Sequence, residues 1–139
     1  MIHFRGFMRE LLGKTKVIVD NFKVLHHNMI GLGWQSDHPK FAEYYEKAAE
    51  FEDEISEMLI LLGERDMNIA EAIEYYTPVH IKKYTIKECY SMAMCYFGDL
   101  LEVGLKYRDS LPPDCQSKLD EYLYFFRKEA YYKIRNTLL

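Results

Sequence analysis

Residues 26–57 read HHNMIGLGWQSDHPKFAEYYEKAAEFEDEISE and contain the end of one predicted helix, a break, and most of a second helix. The break carries Gly31 and Gly33, and glycine tolerates the left-handed backbone conformation that commonly ends a helix. After the break, Ser36 and Asp37 can accept hydrogen bonds from the free amides at the start of a helix. The stretch therefore predicts two helices joined by a short connection, which makes them antiparallel neighbours.

The rest of the chain shows the same helical pattern, because apolar residues recur at intervals of three and four without the alternation typical of strands. Since proline interrupts helices, its few positions help to define their ends. Long helices are predicted at residues 4–30, 39–62, 85–107 and 114–136, with a short helix at residues 68–76. The link between the second and third helices is long and the other two are short. The predicted fold is therefore an all-α, ferritin-like four-helix bundle with the short helix in that crossover.

Each predicted helix carries an apolar stripe that is expected to face the core. In the first helix the stripe includes Phe22 and Leu25, and in the third it runs as far as Leu105. In the short helix, Ile69 and Ile73 share the apolar face.

The composition is that of one soluble globular domain spanning residues 1–139, with 49% hydrophobic and 29% charged residues. A net charge of −4 argues against phosphate-driven binding of nucleic acid, so DNA binding is not predicted. The amino terminus lacks the apolar core of a signal peptide, and no apolar run reaches membrane-spanning length. Three cysteines without a CxxC pair fit a reducing compartment. We therefore expect a cytoplasmic protein.

The candidate functional residues are two histidines, His26 and His38, and two acids, Asp53 and Glu57. The glycine-rich phosphate loop is absent, and no Glu-x-x-His pair is present, so a di-iron site within one bundle is not expected. Because Asp53 and Glu57 are four residues apart on a helix, they present their carboxylates on one face as oxygen donors suited to iron or manganese. Taken alone, such acids more often belong to a solvent-exposed helix face.

Spacing decides whether the histidines and the acids can share an ion. His38 and Asp53 are fifteen residues apart, which is roughly 22 Å along a continuous helix. They cannot bind the same metal within one chain. Two chains related by a twofold axis, with their second helices antiparallel, could bring His38 of one against Asp53 and Glu57 of the other. The predicted site is therefore shared between subunits.

The same residues resemble the metal-binding region of the Dps mini-ferritins, the DNA-protection-during-starvation proteins of bacteria and archaea. In that family the ferroxidase centre uses a histidine late in the first helix and a second histidine twelve residues on. An aspartate and a glutamate follow, fifteen and nineteen residues further along. His26, His38, Asp53 and Glu57 stand at these spacings without a gap. The motif covers residues 26–57, whereas the family's helix order and crossover suit the whole chain.

The resemblance implies a homo-oligomer, namely a hollow dodecamer built from twofold dimers with an iron site at each twofold interface. Each site is implied to take His26 and His38 from one subunit and Asp53 and Glu57 from its partner. Such a protein binds one or two iron ions per site, oxidises Fe(II) with peroxide or oxygen, and stores Fe(III). It thereby protects the cell against oxidative stress.

Two positions depart from the family pattern. The family's third carboxylate, four residues after the second histidine, falls at Ala42, and the nearby Glu43 and Glu46 are displaced around the helix. An alternative is therefore a degenerate ferritin-like oligomer with weak or no ferroxidase activity. The family's tryptophan after the first histidine is replaced by His27, while the single tryptophan is Trp34. For His27 we expect a packing or surface role.

Overall fold

A computed structural model describes the backbone of residues 2–139 and the side chains of residues 9–139. The main elements in chain order are α1 (Ile2–Asn28), β1 (Met29–Ile30), α2 (Trp34–Leu61), α3 (Ile69–Ala72), β2 (Tyr84–Thr85), α4 (Ile86–Tyr107), α5 (Pro113–Lys128) and α6 (Arg135–Leu138). A 3-10 turn precedes α5, and a π-helix joins α5 to α6, so that the two form one long arm. The predicted all-α four-helix bundle with a short helix in the crossover is confirmed.

Phe22 of α1 lies at the centre of the core. Its ring centroid is 5.6 Å from that of Tyr44 in α2 and 5.1 Å from that of Phe97 in α4. Phe97 also stacks on Phe126 of α5, with 5.6 Å between the centroids. All four rings are buried. One aromatic cluster therefore connects the four long helical arms, and burial of such large rings is a main source of stability.

The second helix begins five residues earlier than predicted, at Trp34 instead of Pro39. The residue before it, Gly33, has φ of 94°, and its carbonyl oxygen accepts from the amides of Ser36 and Asp37 at 3.0 and 2.9 Å. Backbone atoms of the left-handed glycine therefore start the helix, and the side chains of Ser36 and Asp37 do not cap it. Pro39 lies inside the helix.

Among the side chains of residues 9–139, three apolar ones that periodicity assigns to the buried stripes are exposed instead. Ile69 and Ile73 are 55% and 52% exposed, and Leu105 is 45% exposed. In α3, a single turn on the surface, Ala72 is the buried residue. Near the end of α4, Gly104 faces α5 so closely that a Cβ there would lie 2.4 Å from a leucine side chain. Close helix contact at the glycine turns the neighbouring Leu105 away from the core.

A two-residue parallel strand pair, which the sequence did not predict, joins the segment that follows α1 to the segment that precedes α4. Met29 pairs with Tyr84 and Ile30 pairs with Thr85. Such short strands leave no alternating pattern to detect. Thr85 also caps α4 through a reciprocal capping box with Glu88, which fixes where α4 starts. The end of α1 is thereby held against the start of α4.

The last arm of the bundle is not a uniform helix, because residues Glu129–Ile134 form a π-helix. Glu129 is buried with 2% exposure, accepts from the hydroxyl of Tyr44 at 3.1 Å, and pairs with Lys133 at 3.0 Å. The continuous helix predicted at residues 114–136 therefore contains a widened turn. A buried carboxylate is tolerated there because both of its oxygens are hydrogen-bonded.

None of the helices within residues 2–139 combines the length and the apolar character needed to cross a bilayer. Cys89, Cys95 and Cys115 are free thiols, and only Cys95 is exposed.

Candidate metal centre

His26, near the end of α1, and His38, in the second turn of α2, lie face to face. Their ring centroids are 3.7 Å apart and their planes differ by 15°. Nδ1 of His26 is 2.7 Å from the carbonyl oxygen of His38, and Nδ1 of His38 is 2.9 Å from the carbonyl oxygen of His26. The two residues therefore form one unit held by reciprocal hydrogen bonds, which we call the His pair.

The reciprocal bonds determine which nitrogen of each ring carries the proton. A carbonyl oxygen can only accept, so each Nδ1 must donate. In the neutral ring, Nε2 then keeps the lone pair that a metal ion needs. Metal-bound histidines usually donate their other N–H to a carbonyl or carboxylate in this way, which orients the ring. Both rings of the His pair are therefore prepared to bind a metal through Nε2.

The surroundings of His26 also favour its neutral form. Burial lowers the pKa of His26 from its ordinary value of 6.5, because a partly buried ring is harder to charge. The hydrogen bond to the His38 carbonyl acts in the opposite direction, while the nearby His38 and His27 rings lower the pKa further. At neutral pH the imidazole of His26 is therefore predominantly uncharged, which is the form that binds metal.

The connection between α1 and α2 brings the two histidines together. Gly31 and Gly33 have φ of 120° and 94°, which L side chains rarely adopt. At Gly33 a Cβ would also lie 2.8 Å from a carboxylate oxygen of Asp37. These glycines let the chain reverse within a few residues, so that positions twelve apart in sequence face each other.

Trp34 extends the stack beyond His38. Its ring centroid is 4.1 Å from that of His38, and the planes differ by 17°. Because His26 and Trp34 both stack on His38, they cover its two faces and restrict its rotation. The sequence analysis missed this contact, although Trp34 and His38 have the i, i+4 spacing of neighbours on a helix. The signal was hidden because the predicted helix began after Trp34.

Asp53 and Glu57, which we call the acid pair, lie one turn apart on α2 and are both exposed. Within the part of the chain that the structure describes, neither has a hydrogen bond or an ion pair. His38 and Asp53 belong to the same continuous helix and are about 22 Å apart along its axis. The structure therefore unites the two histidines and leaves the acid pair at the other end of α2.

Considered alone, a single chain provides only part of a coordination sphere. Among the side chains of residues 9–139, no three His, Cys, Asp or Glu are grouped so that they could hold a metal ion. Ala42 is partly buried one turn beyond His38, and Glu43 is exposed with its carboxylate 3.6 Å from Lys40. His27 is exposed, with its ring 5.3 Å from that of His26. The His pair is thus a two-donor half of a possible site.

The chain is similar in fold to several solved structures, among them Dps proteins. A Dps protein from Bacillus brevis has a TM-score of 0.89 at 18% identity, and the match covers 98% of this chain and 95% of that chain. The antigen TpF1 from Treponema pallidum has a TM-score of 0.78 at 18% identity, covering 99% and 92%. CAIP from Helicobacter cinaedi has a TM-score of 0.76 at 16% identity, covering 98% and 99%.

No protein-family model matches the sequence, and no curated protein matches it significantly. The structural likeness to the Bacillus brevis protein covers 98% of this chain. It confirms the ferritin-like bundle that the sequence predicts. This chain therefore has the fold of the Dps proteins, as its resemblance to that family implies.

Proposed function

We propose that this chain is a cytoplasmic, single-domain mini-ferritin of the Dps type that oxidises Fe(II) between subunits and stores Fe(III). The observation that carries the proposal is the His pair, in which both Nδ1 atoms are tied to carbonyl oxygens and both Nε2 atoms are left as donors. The Dps fold and the spacing of the acid pair support the same reading. The site would be completed by Asp53 and Glu57 of a second subunit.

The surface of α2 supports antiparallel pairing of two subunits. Ala42 and Ala49 lie on the same side of the helix as His38, and such small side chains permit close approach of a second helix. Exposed apolar side chains stand at both ends of the helix, Trp34 at one and Ile60 at the other. An antiparallel partner would cover both, which fits the dodecamer of twofold dimers implied by the resemblance.

The donor set suits the oxidation of iron. Imidazole nitrogen binds Fe(II), and carboxylate oxygen favours the harder Fe(III) that is formed. With hydrogen peroxide as oxidant, two Fe(II) ions lose one electron each, the O–O bond breaks, and two protons complete two molecules of water. The histidines and acids hold and orient the ions during this transfer, and consumption of both reactants limits oxidative damage.

Replacing one histidine of the pair tests this function. His38→Ala is expected to slow peroxide-dependent oxidation of Fe(II) by about a hundredfold or more, because even loss of groups that only orient a ligand costs 10 to 100-fold. The measurement is the rise in ferric absorbance after Fe(II) and peroxide are added to purified protein. His80→Ala removes an exposed histidine outside the His pair and should oxidise iron at the wild-type rate. Equal rates in the wild type and His38→Ala would refute the proposal.

A second candidate function, an oligomer with weak or no ferroxidase activity, is favoured by Ala42. If the site is weakened only by the missing carboxylate, Ala42→Glu should tighten Fe(II) binding by about tenfold, equal to ~1.4 kcal/mol. Calorimetric titration with Fe(II) under argon gives the dissociation constant. Ala70→Glu, at an exposed position in α3, adds the same charge elsewhere and should leave the constant unchanged. Wild-type protein that neither binds nor oxidises iron would identify the degenerate form.

A further inference from the structure

Tyr45 is a partly buried tyrosine beside the His pair to which the proposed function gives no role. It lies seven residues after His38 in α2, which rotates it by only about 20° from His38 around the helix axis. Ala42 stands between them on the same side of the helix. Tyr45 therefore borders the position at which the carboxylate of the family pattern is missing.

The ring of Tyr45 is in contact with the His pair. Its centroid is 5.5 Å from that of His26, with an angle of 65° between the planes. The ammonium group of Lys23 lies over the same ring, 5.7 Å from its centroid. Tyr45 is thus adjacent to an imidazole that we assign as an iron ligand.

The hydroxyl group of Tyr45 has no hydrogen-bond partner among the described residues. Several buried tyrosines of this chain do donate to a carboxylate or a carbonyl oxygen, namely Tyr44, Tyr84, Tyr90 and Tyr122. Since no buried polar side-chain atom of the described residues lacks a partner, the Tyr45 hydroxyl is accessible to solvent. The hydroxyl is therefore available to an ion that reaches the His pair from solvent.

We propose that Tyr45 binds Fe(III) through its phenolate oxygen, in place of the carboxylate that is missing at Ala42. This inference rests on the proposed function. When the bond forms, the phenol O–H bond breaks, the proton passes to solvent, and neither oxygen nor iron changes oxidation state. A phenolate is a hard, anionic ligand that suits Fe(III) better than Fe(II). Tyr45 therefore holds the oxidised product more strongly than the incoming substrate.

Visible absorption tests the proposal without relying on activity. Full-length protein is loaded with less than one Fe(II) per chain and oxidised with peroxide. A phenolate bound to Fe(III) gives a charge-transfer band in the visible region, whereas imidazole and carboxylate ligands do not. We expect the band in the wild type and its near-complete loss in Tyr45→Phe. Tyr132→Phe removes a tyrosine hydroxyl from a ring that is 64% exposed on the last arm, and it should retain the band.

A second comparison asks whether Tyr45 takes the place of the missing acid. In Ala42→Glu the new carboxylate competes for the same coordination position, so the band is expected to weaken several-fold. Resonance Raman spectra of the wild type need no variant, and excitation within the band should enhance tyrosine ring vibrations.

The outcomes separate this inference from the proposed function. If the wild type oxidises Fe(II) and His38→Ala does not, the proposed function stands. In that case, a wild type without the band, or a Tyr45→Phe variant that keeps the full band, overturns the role of Tyr45 alone. Wild-type protein that neither binds nor oxidises iron overturns both.

Discussion

Mixed oligomers assembled from two inactive variants are expected to recover about one quarter of the wild-type rate of iron oxidation. The first variant, His38→Ala, lacks a histidine donor, and the second, Asp53→Asn with Glu57→Gln, lacks both acids. Each variant alone should be almost inactive. Equal amounts are unfolded together, refolded, and assayed with Fe(II) and peroxide at the same total protein concentration.

The expected fraction follows from the proposed sharing of each site by two chains. A site is intact only when its histidines come from a chain that carries Asp53→Asn with Glu57→Gln, and its acids come from a chain that carries His38→Ala. With random mixing, each condition is met in half of the sites, so about one quarter of the sites are whole. This expectation depends on α2 being one continuous helix, since that continuity keeps His38 and Asp53 of one chain about 22 Å apart.

A matched control uses two lesions in the same half of the site. Mixtures of His26→Ala and His38→Ala contain no chain with an intact His pair, so their rate should stay at the level of the separate variants. Recovery in this control would mean that the two histidines act in different sites. No recovery in the first mixture, with mixed assembly verified by mass spectrometry, would show that the histidines and the acids do not meet across subunits.

The histidine half of the site was largely predictable, and the reason is its local character. Helical periodicity and the two glycines predict a short connection, which makes His26 and His38 neighbours once α1 and α2 pack together. Their reciprocal hydrogen bonds were not predictable, because they depend on the left-handed backbone of Gly31 and Gly33. Trp34 was within reach of sequence reasoning and was missed because the start of α2 was placed too late.

In the proposed site the acid half depends on a second copy of the chain. Neither periodicity nor the packing of one chain determines which residues Asp53 and Glu57 would meet there. Two other features could not be predicted from the sequence, and the reasons are physical. The π-helix that begins at Glu129 adds a wider turn without interrupting the apolar pattern. Tyr45 reads as an ordinary amphipathic residue until its contact with His26 is known.

Replacing Phe22 by alanine is expected to cause the largest loss of stability of any change considered. The ring is fully buried and meets rings from α2 and α4, so its removal leaves a cavity among three of the long helices. Truncation of a buried phenylalanine costs about 3 to 5 kcal/mol. In a chain of this size, the midpoint of thermal unfolding should fall by about 10 °C or more. Calorimetry at one fixed protein concentration measures it, since assembly also affects the midpoint.

Leu105→Ala provides the matched control, because periodicity places Leu105 in a buried stripe while the structure leaves it 45% exposed. A surface truncation of this kind should change the free energy of unfolding by no more than about 0.5 kcal/mol. If packing decides stability, Phe22→Ala lowers the midpoint strongly and Leu105→Ala leaves it almost unchanged. Similar losses in both variants would mean that Leu105 is buried in the assembled protein, by a second subunit covering the end of α4. In that case oligomers of the Leu105→Ala variant should dissociate at higher protein concentration than those of the wild type.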